Sequence, residues 1–314
     1  MNWGLLSPIS EETDRLLSIQ PIFPYFLRTK LRELDGETRE ALEEGFKNHY
    51  QGLAGQYQQL MDSKEANQRQ LGVFFCRLEY ENLFSTLKIC LNKNARIDIY
   101  FCLDRYLQLI QEKEQRLNLA ENICSELKSY PESFLIGQDG HQVLGAFDLL
   151  AYASLEKNLY EEAQSAYQQE LKTLEVLTWY DSREKSLAKA RISHQLGRVA
   201  QEQREYEQAR SHYQQALDIK IEFGDRYSQA STYHQLGRVA QALQEYEQAQ
   251  SHFLQSLKTY VEYDDQHNMG IVLRSFSRLY GTTQDEGLLS AVAEVLGVTP
   301  DEVRQLFEKL SDGE

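Results

Sequence analysis

Between residues 190 and 270, apolar and small residues recur at helical spacing in paired bursts: Leu196, Val199 and Ala200, then Tyr206, Ala209, Tyr213, Ala216 and Leu217. That spacing puts each burst on one face of a helix. The polar stretch 201–205 between them is long enough to join two antiparallel helices, so the pattern predicts a helical hairpin. The hairpin is then repeated. Residues 191–230 and 231–270 align without gaps at an offset of 40, with 19 positions identical, including HQLGRVAQ at 194–201 and 234–241 and EYEQA at 205–209 and 245–249. Chance does not produce such identity, and hairpins that bury their apolar faces against one another stack into a solenoid.

The same roles are filled more faintly upstream. Phe147, Leu150, Tyr160, Ala163 and Tyr167 form a weaker repeat with a six-residue excess, because Ala163 and Ala209 stand 46 apart instead of 40. Leu117, Ala120, Cys124 and Leu127 mark a fainter one, which begins at 97–111, and a last half-unit starts near Gly270 with Phe276 and Tyr280. Before these, 38–62 is predicted as a helix carrying Phe46, Tyr50, Leu53 and Tyr57, and 65–91 as a second long helix.

At the other end, Thr299, Pro300 and Glu302 make a helix start, with Val303, Leu306, Phe307 and Leu310 on one apolar face. Paired with the helix of Leu288 to Leu296, it predicts a capping hairpin. A helix-turn-helix DNA reader would need a basic recognition helix there, which the pair lacks. The expected architecture is all-α: an N-terminal segment at 1–35, a helical bundle at 36–100, a solenoid at 101–269 that is clearest at 190–269, and a degenerate half-repeat with capping helices at 270–314.

Composition agrees with this picture. Of five prolines, Pro8, Pro21 and Pro24 crowd the start and only Pro131 and Pro300 follow, leaving long stretches of strong helix formers uninterrupted. Cys76, Cys90, Cys102 and Cys124 lie inside apolar helical patterns with no CxxC pair, which predicts reduced core thiols and no metal site. The 33 Lys+Arg against 48 Asp+Glu give a net charge of −15, which argues against nucleic acid or an anionic membrane as general partners. Neither a secretory leader nor an apolar run of the roughly 18 residues a membrane span needs is visible, so the expected location is the cytoplasm.

Counted from Ala190 as first position, Leu196 and Gly197, then Tyr206, Ala209, Tyr213 and Ala216, resemble the Leu-Gly pair and the small and aromatic packing positions of the tetratricopeptide repeat (TPR). In the next unit Tyr233, Leu236, Gly237, Tyr246, Ala249 and Phe253 match, with Ser256 in place of the last alanine. The family's closing proline is absent from every unit and the period is 40 instead of 34, which predicts longer second helices. These positions are packing positions, small where two helices approach.

The N-terminal region resembles the helical segment that follows the ATPase and winged-helix parts of bacterial STAND (NB-ARC-type) signal-transduction ATPases. The resemblance is carried by Phe46-Lys47-Asn48-His49-Tyr50 and Glu79-Tyr80-Glu81-Asn82-Leu83, with WGLLS and IQPIFPYFLRTKL in residues 1–31 resembling the tail of the winged helix. It implies the sensor arm of a bacterial signalling protein. No GxxxxGK[ST] phosphate loop is present, so the chain would be either a fragment of a larger receptor or a protein that kept only that arm.

Motifs of catalysis are missing: there is no GxSxG, HExxH or GxGxxG, and no cofactor or enzymatic activity is expected. Gly137, Gly140 and Gly145 around His141 fit a loop, and the pairs His194/His234 and His212/His252 are explained by repetition, with no third metal ligand. The candidate site is the TPR groove. By the resemblance, positions 2, 5, 9 and 12 of each first helix face it: Arg191, His194, Arg198 and Gln201, then Ser231, His234, Arg238 and Gln241, with Ile271, Arg274 and Arg278 following.

Arg198, Arg238 and Arg278 recur every 40 residues as a ladder, and guanidinium forks suit the carboxylates of an acidic segment. The competing reading has these arginines in exposed salt bridges to Glu202, Glu205 and their equivalents, copied with the repeat and worth about 0.2–1 kcal/mol each. The expected function is a non-catalytic interaction module binding a protein or peptide in this groove. The alternative resembles the Rap family: a peptide-responsive regulator acting on a phosphorylated partner through a bundle glutamine, Gln51, Gln56, Gln58 or Gln59. An uncapped solenoid end also points to self-association, with Ile22, Phe23, Tyr25 and Phe26 supplying or covering the apolar face.

Overall fold

The computed structural model describes residues 6–8, 17–19, 34–178 and 180–311. It divides into two compact units, 1–106 and 107–314. The expected winged-helix tail and the residues Ile22, Phe23, Tyr25 and Phe26 lie largely or wholly outside the described residues. What is described there is a minimal antiparallel ribbon, β1 Leu6–Pro8 against β2 Leu17–Ile19, in which Leu6 pairs with Ile19. All other regular structure among the described residues is helical.

In the first unit α1, Gly36–Met61, starts at an Asp35 cap whose side chain accepts from the Thr38 amide, and it buries Ala54, Tyr57 and Met61. The single long helix expected over 65–91 is interrupted. The structure has α2, Ala66–Leu78, and α3, Tyr80–Asn92, with Glu79 between them. No proline or glycine marks this break. Its carboxylate Oε2 accepts from Tyr50 Oη at 3.0 Å and from Asn82 Nδ2 at 2.7 Å, so the two N-terminal motifs meet at this residue. Helix α4, Asp98–Leu109, carries the chain into the second unit. Cys76, Cys90 and Cys102 are buried here, as is Cys124 in the second unit.

The second unit is an α-solenoid. After α5 (Lys113–Leu127) and the short α6 (Glu132–Ile136) come three hairpins: α7/α8 (His141–Glu156, Tyr160–Val176), α9/α10 (Ser182–Glu202, Tyr206–Glu222) and α11/α12 (Arg226–Ala242, Tyr246–Glu262). The half-unit α13 (Gln266–Thr283) and the capping pair α14 (Glu286–Leu296) and α15 (Pro300–Ser311) complete it. The second helices are 17 residues each and all begin at tyrosine.

The six-residue excess also has a place. The linker 177–181 is two residues longer than its counterpart 223–225, and α9 has 21 residues where α11 has 17. This linker leaves α8 through an extended Leu177, whereas the other five turns from α7 to α13 stop a helix without proline through a residue in the left-handed region: Asn158, Arg204 and Gln244 within hairpins, Gly224 and Asp264 between them. The next amide then reaches five residues back, as from Glu205 N to Ala200 O at 2.8 Å, which satisfies carbonyls a continuing helix would have bonded.

Packing follows the repeat. Leu196, Val199, Ala209, Tyr213, Leu217 and Leu236 are buried where hairpins meet. Phe253 and Phe276 join Leu288, Val292, Val303 and Phe307 in one core that seals the C-terminal end. No helix among the described residues is long and apolar enough to cross a membrane.

Candidate functional site

The first helices α9, α11 and α13 present the arginine ladder. A cleft of about 460 Å³ is lined by Gln201, Arg238, Gln241 and Arg278, together with Glu202, Arg204, Tyr206 and Ser275. Four of the predicted groove residues therefore share one cavity, drawn from three consecutive repeats. Tyr213 Oη donates to Gln201 Oε1 at 3.0 Å, which fixes that amide at the cleft wall.

Among the described residues, Arg198 and Arg238 do not form the salt bridges of the competing reading. Arg198 donates to Gln195 Oε1 at 3.0 Å and Arg238 to Gln235 Oε1 at 3.1 Å, one helical turn away in both repeats. Neither has a carboxylate within ion-pair distance among the described residues, while Glu245, the counterpart of Glu205, is held by Arg210 at 2.6 Å. A guanidinium resting on a neutral amide keeps its charge uncompensated and some of its donors unused.

Other predicted groove residues are placed differently. His234 is buried, its Nε2 at 2.8 Å from Ser275 Oγ on α13, and the half-buried His194 has Nδ1 at 3.2 Å from Thr232 Oγ1 on α11. They tie each first helix to the next instead of opening into the cleft, and burial, helped by nearby cations, pushes their basicity down to about 4 and about 3. Arg191 is engaged internally, with Asp148 Oδ1 at 2.6 Å and with Glu170. Arg274 lies on α13 beside Gly270 and is not among the residues lining the cleft. Among the described residues no cluster of His, Cys, Asp and Glu could hold a metal ion.

Two buried charges escaped the sequence reading. Glu170 is wholly inaccessible, and burial raises its carboxyl pKa despite the opposing pull of Arg191. Lys220 is also buried, its ammonium donating to Ser228 O at 3.1 Å and Thr232 Oγ1 at 2.8 Å. The signal for both was available: the corresponding positions of the other repeats are small or apolar.

Comparison with known proteins agrees with the repeat. Residues 188–260 match the family described as tetratricopeptide repeat. No curated protein matches the chain. Among solved structures, the apo form of RapI is similar at 15% identity and TM-score 0.53, over 68% of this chain and 70% of that one. BtubC from P. vanneervenii (17% identity, TM-score 0.48, 59% and 73% covered) and aspartyl phosphate phosphatase F from Bacillus subtilis (16%, 0.48, 80% and 71%) also match. The likeness to RapI is one of fold.

Proposed function

We infer that this chain is a non-catalytic protein-interaction module, the ligand-sensing or scaffold arm of a bacterial cytoplasmic signalling protein, and that it takes an acidic protein or peptide segment in the cleft of α9, α11 and α13. The observation that carries this reading is the meeting of Arg238 and Arg278 with Gln201 and Gln241 around one cavity in a protein of charge −15. Guanidinium groups pair with carboxylates bidentately, and side-chain amides supply donors and acceptors for a peptide backbone. Arg198, without a carboxylate of its own, extends the basic face by one rung.

The test is a pull-down from lysate of the source organism, comparing wild type with the combined Arg198→Glu, Arg238→Glu, Arg278→Glu variant, with circular dichroism to verify folding. Partners retained by wild type and lost by a folded variant support the groove. Equal retrieval refutes it.

A second reading is a peptide-responsive regulator acting on a phosphorylated partner. Support comes from the fold likeness to RapI and from a bundle glutamine held in place: Gln51 Nε2 donates to Arg96 O at 3.3 Å. Gln56 and Gln59 are exposed, and Gln58 is half-buried. Phosphate release from a captured, phosphorylated partner, abolished by substitution of one of these glutamines, would favour this reading over pure binding.

A further inference from the structure

A second cavity, of about 260 Å³, lies apart from the arginine cleft and is lined by Leu187, Ala190, Arg191, His194, Gln195, Lys220, Asp225 and Ser228. Its chemistry breaks the repeat. At the fifteenth position of the three second helices stand Leu174, Lys220 and Tyr260, all buried. At the position facing it in the first helices stand Ile192, Thr232 and Val272, each wholly inaccessible. Only the junction between α10 and α11 replaces apolar packing on both of its helices with polar groups, and these two bond each other at 2.8 Å.

A lysine here is unfavourable for folding alone, because a desolvated ammonium without a counter-ion is among the costliest groups to bury. Lys220 has no carboxylate within ion-pair distance among the described residues. Its two acceptors, Ser228 O and Thr232 Oγ1, are neutral, and an ammonium has three donors. Asp225 lines the same cavity and caps α11, accepting from Ser228 N at 3.2 Å; its charge favours the ammonium from beyond ion-pair distance, less than burial disfavours it. The Arg191 guanidinium at the rim is already paired with Asp148 and Glu170. Thr232 Oγ1 also contacts His194 Nδ1, so the polar network runs from Lys220 to the cavity wall.

We propose that this cavity binds a compact oxyanion, a phosphate or small carboxylate, with the third donor of Lys220 as its charge partner. The ligand supplies a counter-ion in direct contact, which Asp225 at longer range does not, and its binding stiffens the junction of α9, α10 and α11. This site is independent of the arginine cleft, and its test involves no ladder residue.

The experiment is thermal unfolding of the full chain titrated with inorganic phosphate or malonate against sodium chloride at matched ionic strength, for wild type and Lys220→Met. Methionine returns the position to the apolar character of Leu174 and Tyr260. The expected result is a rise in wild-type Tm of roughly 2–5 °C above the chloride control with at least one of the two anions, absent from the variant. Should Lys220→Met fail to fold, Lys220→Gln, which keeps a hydrogen-bond donor on the side chain and removes the charge, gives the same reading. Equal shifts in wild type and variant, or no shift beyond chloride with either anion, would overturn the proposal.

Discussion

A Cβ placed on Gly197 would stand 2.7 Å from the ring of Tyr213, and forty residues on a Cβ on Gly237 would stand 2.4 Å from the ring of Phe253. Each glycine leaves room for the aromatic of its own hairpin's second helix. The small residue thus serves a ring lying flat on the backbone, where the sequence alone suggested only close helices. Gly197→Ala and Gly237→Ala are expected to destabilise the fold by about 1–3 kcal/mol through overpacking, although alanine is the better helix former by about 1 kcal/mol. Urea unfolding checks this; a stabilised variant would show that the rings yield.

Leu196 is 5% exposed and packs where α9 meets the α7/α8 hairpin. Leu196→Ala should lower unfolding free energy by about 2–5 kcal/mol, the cost of lost transfer energy and a residual cavity. Denaturant midpoints with an unchanged m-value would verify it.

The left-handed turn residues give a prediction of the opposite sign. Arg204 and Gln244 hold φ of 62° and 64°, where a side chain costs about 1–2 kcal/mol and glycine costs nothing. Set against glycine's greater freedom in the unfolded chain, Arg204→Gly or Gln244→Gly should raise stability by a few tenths to about 1 kcal/mol. Thermal unfolding of each variant would reveal the gain, and a drop in Tm would contradict the account of how these helices stop.

Acid should weaken the solenoid through its paired histidines. The buried His234 and the half-buried His194 are neutral, burial disfavouring a further positive charge on each, as do Lys220 and Arg198 near His194 and Arg238 and Arg278 near His234. Above about pH 7 they are uncharged in both folded and unfolded chains and add no pH dependence. As pH falls below the ordinary value of 6.5, the unfolded chain gains protons that the folded one refuses. Stability then declines by roughly 1.4 kcal/mol per pH unit for each histidine, down to about pH 4 for His234. Replacing His234 with Gln should flatten that decline, read from urea midpoints at pH 7 and pH 5. An unchanged slope would mean the histidine is not the group responsible.

How far the sequence could be read follows from these residues. The hairpins of 190–270 were legible because duplication displays the pattern twice, and the six extra residues upstream were legible as a number though not as a longer linker plus a longer helix. The break at Glu79 was hidden because no helix-breaking residue marks it, and the contacts of its carboxylate with Tyr50 and Asn82 appear only in the fold. The ladder's spacing was visible, but which rungs share a cleft depends on the stacking of α9, α11 and α13. His234 was misplaced for the same reason: position 5 faces the next first helix, where Ser275 waits. Lys220 and Glu170 were missed because the repeats were compared for what they share and not for where one departs.

The central claim is that Arg238 and Arg278 make an acidic-segment groove. The most direct measurement is fluorescence anisotropy with a library of labelled acidic decapeptides and its lysine-for-glutamate counterpart, on wild type and on Arg238→Glu, Arg278→Glu. The account predicts that acidic peptides bind wild type with an affinity that falls with salt, that the double variant loses it at least about tenfold, and that the basic library does not bind wild type. Equal binding of both libraries, or binding unaffected by the charge reversal, would contradict it.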